Sequence, residues 1–243
     1  HTGEMLMWGG HVAAIVSAVA LTVCCGVLVY CFFSGDTSIE YVLTQRSDAS
    51  GDFAWLYKLA GLWAGRQGSL LFWAWLIAVF NAVVAVRNLK ELRKLDSMAL
   101  MVAQLVLAAF VGVLLFSESN MPFTVTPMRY FTSSGQLTAA GSMLGMNTLL
   151  EHWAMAIHPP TLFVGYAGLT IPFAYAIGAL IVNDPSKEWV IRSQRYALFS
   201  WLFLGIGIGL GAVWAYVVLG WGGYWGWDPV ENASLLSWIV GVA

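Results

Sequence analysis

The chain has 243 residues, 59% of them hydrophobic and only 10% charged, with a mean hydropathy of +0.74 and a net charge of −2. Soluble domains carry about 25% charged residues, so a soluble globular fold is excluded, and with no basic cluster nothing points to nucleic acid. The composition predicts an all-α, polytopic transmembrane bundle, read as one integral membrane domain over residues 1–243 with about six spans.

The first span runs from about Met7 to Phe33. It is too long for a signal peptide, and no small-residue cleavage site closes it. His11 sits near its start and reads as an interfacial or packing residue. Cys24, Cys25 and Cys31 share this span and form no C-x-x-C, so they read as small packing hydrophobes rather than a redox pair or metal site. A polar connection, 34–69, follows. Trp55, Tyr57 and Trp63 in it suit a membrane–water interface. The second span is about Leu70 to Val86 and the third about Met98 to Phe116. A long connection, 117–160, leads to a fourth span from Thr161 to Val182. The fifth runs from Tyr196 to Leu219, with glycines at 205, 207, 209 and 211 that let helices approach closely. A sixth starts at about Pro229.

The connections 87–97 and 183–195 hold seven of the eleven Lys and Arg residues, which by the positive-inside rule makes both cytoplasmic. Segments 34–69, 117–160 and 220–228 then share the outer face. Leu137 to Ile157 is apolar enough to resemble a span, but a crossing there would put the basic 183–195 connection outside. It is read as interfacial or re-entrant. The stretch after Glu231 is worth only ~20 Å of helix at ~1.5 Å per residue, short of the ~30 Å of a bilayer core, so the chain is expected to be part of a longer one.

Two constellations carry chemistry. Gly220 to Trp238 reads GWGGYWGWDPVENASLLSW, with Trp221, Tyr224, Trp225, Trp227 and Trp238 beside bare glycine backbone. Large aromatic faces next to glycine suit a flat, apolar, π-rich ligand. Interfacial Trp alone would explain part of this, but not four within a window that also carries W-D-P-x-E-N. Asp228 at N-cap, Pro229 at N1 and Glu231 at N3 predict a capping box opening a helix, whose first N–H groups face the aromatic loop and favour carboxylates. The second constellation is His158-Pro159-Pro160. Pro159 fits a first helical turn and biases His158 towards an extended conformation just before the helix. A neutral imidazole there, at the depth of the Trp-rich loop, is a candidate ligand for haem iron. His152 reads as a solvated or interfacial histidine, with support of a ligand or proton handling as the alternative, and Glu151 and Asn147 as polar supports rather than ligands.

GWGGYWGWDPVENASLLSW resembles the tryptophan-rich "WWD" signature of the haem-handling membrane proteins of cytochrome c maturation, in the form found in the CcmF/NrfE haem lyase branch. GLWAGRQGSLLFWAWL and MNTLLEHWAMAIHPPTLFVGYAGLTIPFAYA resemble two further segments of that family, so the likeness extends from about Tyr41 onward. The resemblance implies a haem lyase component that forms thioether bonds between haem vinyl groups and the CxxCH thiols of an apocytochrome c. It implies His158 as axial ligand to the iron, and Trp221, Tyr224, Trp225, Trp227, Asp228, Glu231, Asn232 and Trp238 as the loop around a b-type haem in transit. A structural haem b would have its ligands beyond this chain. Implied partners are a CcmE-like haem chaperone, the apocytochrome with CcmH/CcmI-like handling proteins, and membrane lipid. The implied location is the plasma (inner) membrane, with the haem site on the periplasmic face. The runner-up is a haem-binding or transfer module without ligation, like the CcmC branch; a transporter would want more polar residues inside its spans. Catalytic residues are not identified.

Overall fold

The structure, a computed structural model, describes residues 2–220 and 222–242. Its helices, in order, are α1 (Thr2–Ser34), α2 (Glu40–Gln45), α3 (Ala54–Ala64), α4 (Arg66–Asn88), α5 (Lys94–Phe116), α6 (Ala139–Ser142), α7 (Trp153–Val182), α8 (Glu188–Val217) and α9 (Pro229–Val240). No strand occurs among the described residues, only the isolated bridges Ile39–Val125 and Phe131–Leu137. Among the described residues, five helices (α1, α4, α5, α7 and α8) are long and apolar enough to cross a membrane. The protein is a polytopic helical membrane protein. Residues 137–152 hold only the four-residue α6 and one turn of 3-10 helix, so no crossing helix forms there.

The crossing helices all begin earlier than the sequence suggests, two of them by eight residues. α8 starts at Glu188 rather than Tyr196, and α7 at Trp153 rather than Thr161. His158 is therefore not in an extended segment ahead of a helix but inside one. His152 caps α7, its Nδ1 accepting from the Ala154 N–H at 3.2 Å. With that turn already nucleated, the bias of a pre-proline residue away from helix is overridden. Pro159 and Pro160 remove the N–H groups that Met155 and Ala156 carbonyls would otherwise receive, while the Thr161 hydroxyl donates to the Ile157 carbonyl at 2.6 Å. The last span expected from sequence is the twelve-residue α9 among the described residues.

α4 lies centrally, against α1, α3, α5 and α7. Its aromatic residues fasten these contacts. Phe72 meets Trp63 of α3 at 5.3 Å between centroids, and Trp73 meets Phe110 of α5 at 4.9 Å and Phe163 of α7 at 5.5 Å. The α3–α4 corner is bolted by Tyr41 of α2, only 3% exposed. Its hydroxyl donates to the Gly61 carbonyl at 2.8 Å and accepts from the Gly65 N–H at 3.1 Å. Gly68 lies against the same ring, where a Cβ would collide with the Tyr41 hydroxyl and the Leu62 carbonyl. Gly65 and Gly68 of GLWAGRQGS thus make room for one buried tyrosine, while Gly61 lies against the Phe32 ring.

The bundle has two distinct ends. At one, the first and third connections join. The Thr126 N–H donates to the Ser38 carbonyl at 2.8 Å and Glu40 N–H to Thr124 at 2.9 Å. Arg46 reaches the Ser142 carbonyl at 3.1 Å, Arg66 the Ser119 carbonyl at 2.9 Å, and Ser47 donates to Glu151. The α8–α9 loop lies at this end too. At the other end, Asp96 of α5 is fully buried. It accepts from the Tyr175 hydroxyl of α7 at 2.7 Å and pairs with Arg192 of α8 at 3.0 Å. Arg192 also binds Glu188 at 2.9 Å, and Glu188 binds Arg93 at 3.0 Å. A buried charge needs such partners, and these join α5, α7 and α8 with the 89–93 connection.

Candidate functional site

α7 and α8 pack along much of their length, and glycines on both helices set the spacing. His158 projects from α7 onto α8. Its Nδ1 lies 2.7 Å from the carbonyl oxygen of Gly207. A carbonyl only accepts, so Nδ1 carries the proton and Nε2 the lone pair. No protein group among the described residues bonds Nε2. Gly211, one helical turn on, forms the floor under the ring: a Cβ there would stand 2.5 Å from His158 Cε1 and 2.9 Å from Nδ1. The Trp214 ring covers the imidazole further along, with centroids 6.3 Å apart and planes within 26°.

The loop after α8 is held by the start of α9. Asp228 Oδ1 accepts from the Glu231 N–H at 2.7 Å, and Glu231 Oε2 accepts from the N–H groups of Asp228 at 3.3 Å and Gly226 at 2.9 Å. This is the capping box expected at those positions. It has a consequence the sequence did not show. Pro229 has no N–H, the Glu231 N–H is taken by Asp228, and Asn232 N–H goes to the Asp228 carbonyl at 3.0 Å. The helix start is already satisfied by its own carboxylate, so it does not present a row of open donors to an anionic ligand group.

A cavity of about 210 Å³ lies between α7, α8 and the start of α9. Its wall includes His158, Gly211, Trp214, Trp225, Asp228 and Glu231, with Leu162, Ile208, Val230 and Ser234 among the rest. The indole N–H groups of Trp214 and Trp225 are buried and have no acceptor. The cavity is smaller than the ~300–1,000 Å³ usual for enclosed small-molecule sites. A large planar ligand would therefore enter with one edge or part of one face.

Of the residues singled out in the sequence, His158, Trp225, Asp228 and Glu231 meet here. Tyr224 instead stacks on Tyr216, with centroids 4.4 Å apart and planes within 14°. Trp227 is 70% exposed, its backbone in the left-handed region at φ 57°, and touches the site only through Trp225, edge to face at 5.9 Å. Asn232 donates to the Trp227 carbonyl at 3.2 Å and so holds that turn. Trp238 lies well along α9, stacked on Trp201 of α8 at 5.2 Å, and its carbonyl accepts from the Trp201 N–H at 3.1 Å. It packs α9 onto α8 and does not line the cavity. Trp221 lies outside the described residues. Residues that sequence reasoning missed are Gly207, Gly211 and Trp214. The glycines were visible as helix-approach residues. The clue to their second role was their position opposite a histidine, which only the helix pairing shows.

The family model described as cytochrome C assembly protein matches residues 63–243. The chain belongs to that family. It is 38% identical over 229 residues to the cytochrome c-type biogenesis protein NrfE of Haemophilus influenzae, covering 94% of this chain and 34% of that protein. It is 36% identical over 222 residues to CcmF of Pseudomonas aeruginosa, covering 90% of this chain and 31% of the relative. A solved structure titled cytochrome c heme lyase CcmF superposes with a TM-score of 0.77 at 29% identity, covering 97% of this chain and 35% of that one. The chain therefore spans about a third of the length of the relatives it matches. Its membrane-spanning helices and its family agree in making it an integral membrane protein.

Proposed function

We propose that this chain carries a haem site of a cytochrome c haem lyase component, with haem as substrate in transit and thioether attachment to apocytochrome c as the reaction served. The observation that carries the reading is that His158 and Trp225, from separate sequence constellations, line one cavity. The chemistry of the wall fits the group. Nε2 of His158 holds a free lone pair, and its Nδ1–H bond to Gly207 fixes the ring and its tautomer, as ligating histidines require. Trp214 and Trp225 offer aromatic faces and buried indole donors for the apolar macrocycle and its polar edge. In this reading His158 holds the iron, the Trp residues orient the ring, and Asp228, Glu231 and Asn232 act by shaping the loop. Thiol addition across a vinyl group needs both reactants held in register, and positioning alone is a large source of rate. The thiols come from the apocytochrome, because Cys24, Cys25 and Cys31 lie in α1.

The basic connections 87–97 and 183–195 face the cytoplasm in this proposal, and the cavity opens on the periplasmic side. A CcmE-like donor and CcmH/CcmI-like handlers would meet it there. The test is a pyridine haemochrome assay on protein purified from cells that load this site. His158→Ala and Trp225→Ala should each lose a haem fraction that Trp238→Phe retains. Equal haem in all of them would refute the site. Holocytochrome formation in the same cells separates ligation from haem transfer alone: variants that still hold haem and are transferred to acceptor proteins without ever yielding holocytochrome support the CcmC-like alternative.

A further inference from the structure

A larger cavity lies away from this site. It is a groove of about 960 Å³ between α1 and α5, lined on one side by residues from Leu6 to Leu21 and on the other from Lys94 to Val111. At ~1.5 Å per residue the α5 wall is ~25 Å long. That is more than the ~15 Å depth of one leaflet, half of a ~30 Å hydrocarbon core. The wall is apolar over most of its length. Lys94, Ser97 and His11 lie towards one end, where α5 begins and where the buried Asp96 network sits, with Ser17 and Gln104 further along.

Two of those groups have unmet needs. Lys94 is exposed at the mouth and makes no ion pair among the described residues. The neighbouring Arg93 is neutralised by Glu91 at 2.8 Å and Glu188 at 3.0 Å, whereas Lys94 lines the groove with its charge unpaired among the described residues. His11, fully buried in the groove wall, is the second. Its Nδ1 lies 2.8 Å from the Met7 carbonyl, which makes Nδ1 the protonated nitrogen. Nε2 is then a lone-pair acceptor, buried and without a partner. A span in lipid has no water to satisfy such an atom, and the complement it lacks is an O–H donor.

We propose that this groove is a binding site for an anionic glycerophospholipid with a hydroxylated headgroup, of the phosphatidylglycerol type. The acyl chain lies between α1 and α5, the phosphate pairs with Lys94, and a headgroup hydroxyl donates to His11 Nε2 once the side chains that cover that atom move aside. The charge argument excludes a zwitterionic choline lipid, which brings a bulky cation and no hydroxyl. The proposal is independent of the haem reading, since it concerns other helices.

The test is native mass spectrometry of the purified protein in detergent, titrated with phosphatidylglycerol, phosphatidic acid or phosphatidylcholine. One phosphatidylglycerol should bind in preference to phosphatidylcholine. Lys94→Gln should lower that preference about fivefold, the value of one juxtamembrane cation. His11→Leu should weaken phosphatidylglycerol but not phosphatidic acid titrated above its second ionisation, where that headgroup carries no O–H. Unchanged preference in Lys94→Gln overturns the proposal. A photoreactive benzoyl-phenylalanine at Ala108, on the groove wall, gives a second readout that does not depend on His11→Leu folding. A lipid adduct supports the site, and a peptide adduct from further chain or a second copy overturns it.

Discussion

The Nδ1 of His158 donates to the main-chain carbonyl of Gly207, 2.7 Å away on the neighbouring helix. One bond thereby fixes which ring nitrogen is free and which way it points. The floor beneath the ring makes the first prediction. Gly211→Ala would bring a Cβ within 2.5 Å of His158 Cε1, and the imidazole must shift or α7 and α8 must part. Overpacking of this kind costs about 1–3 kcal/mol. The expected outcome is a smaller haem fraction and an altered absorption spectrum, with Gly209→Ala, whose Cβ meets nothing within 4 Å, behaving as the parent.

The loop depends on its cap. Asp228→Ala removes the acceptor for the Glu231 N–H, a loss of about 1 kcal/mol at a helix N-terminus. Amide hydrogen exchange over residues 224–232 should quicken several-fold, while exchange in the middle of α4 stays unchanged. Asp228→Asn, which can still accept that bond, should restore most of the protection. Equal exchange in Asp228→Ala and the parent would show that the loop is held by other contacts.

The polar end of the bundle should be the more sensitive to charge loss. Arg192→Met strips a fully buried Asp96 of its cation, and breaking a buried pair on one side costs about 3–5 kcal/mol. Glu188→Gln touches a far more exposed member of the same network and should cost under about 1 kcal/mol. Thermal unfolding in detergent, followed by loss of monodisperse protein, should rank Arg192→Met well below Glu188→Gln. The reverse order would contradict the burial argument.

Trp238 gives the contrast within the aromatic loop region. Trp238→Ala removes a stacked partner of Trp201, worth about 0.5–1.5 kcal/mol beyond its burial. It should lower the melting temperature while leaving the haem content of the surviving protein near the parent value. A haem loss matching that of Trp225→Ala would bring Trp238 back into the site.

Much of this was legible without coordinates. Long apolar runs mark the spans because lipid tolerates little else, and the D-P-V-E order marks the start of α9 because each residue type suits its own cap position. The beginning of α7 was not legible. Pro159-Pro160 reads locally as a helix start, yet His152 supplies a cap seven residues earlier, and local preference yields to it. The division of the aromatics was hidden for a related reason. Trp225 and Trp227 are two residues apart and chemically alike. A backbone turn at positive φ, held by Asn232, sends one to the cavity and leaves the other exposed. The imidazole cradle was hidden because it joins residues 158 and 207, and spacing along one helix says nothing about what faces it on another.

The Asp96–Arg192 pair also sets an order of events during synthesis. Asp96 lies in the first turn of α5, and its cation is made 96 residues later on α8. At about 5–20 residues per second, the carboxylate waits roughly 5–20 s for its partner. Through that interval α5 can rest at the membrane edge with Asp96 hydrated, but it cannot bury that turn. Tight closure of the helices at this end is therefore deferred until α8 emerges, so a nascent chain stalled between α5 and α8 would hold its helices loosely and stand open to membrane proteases.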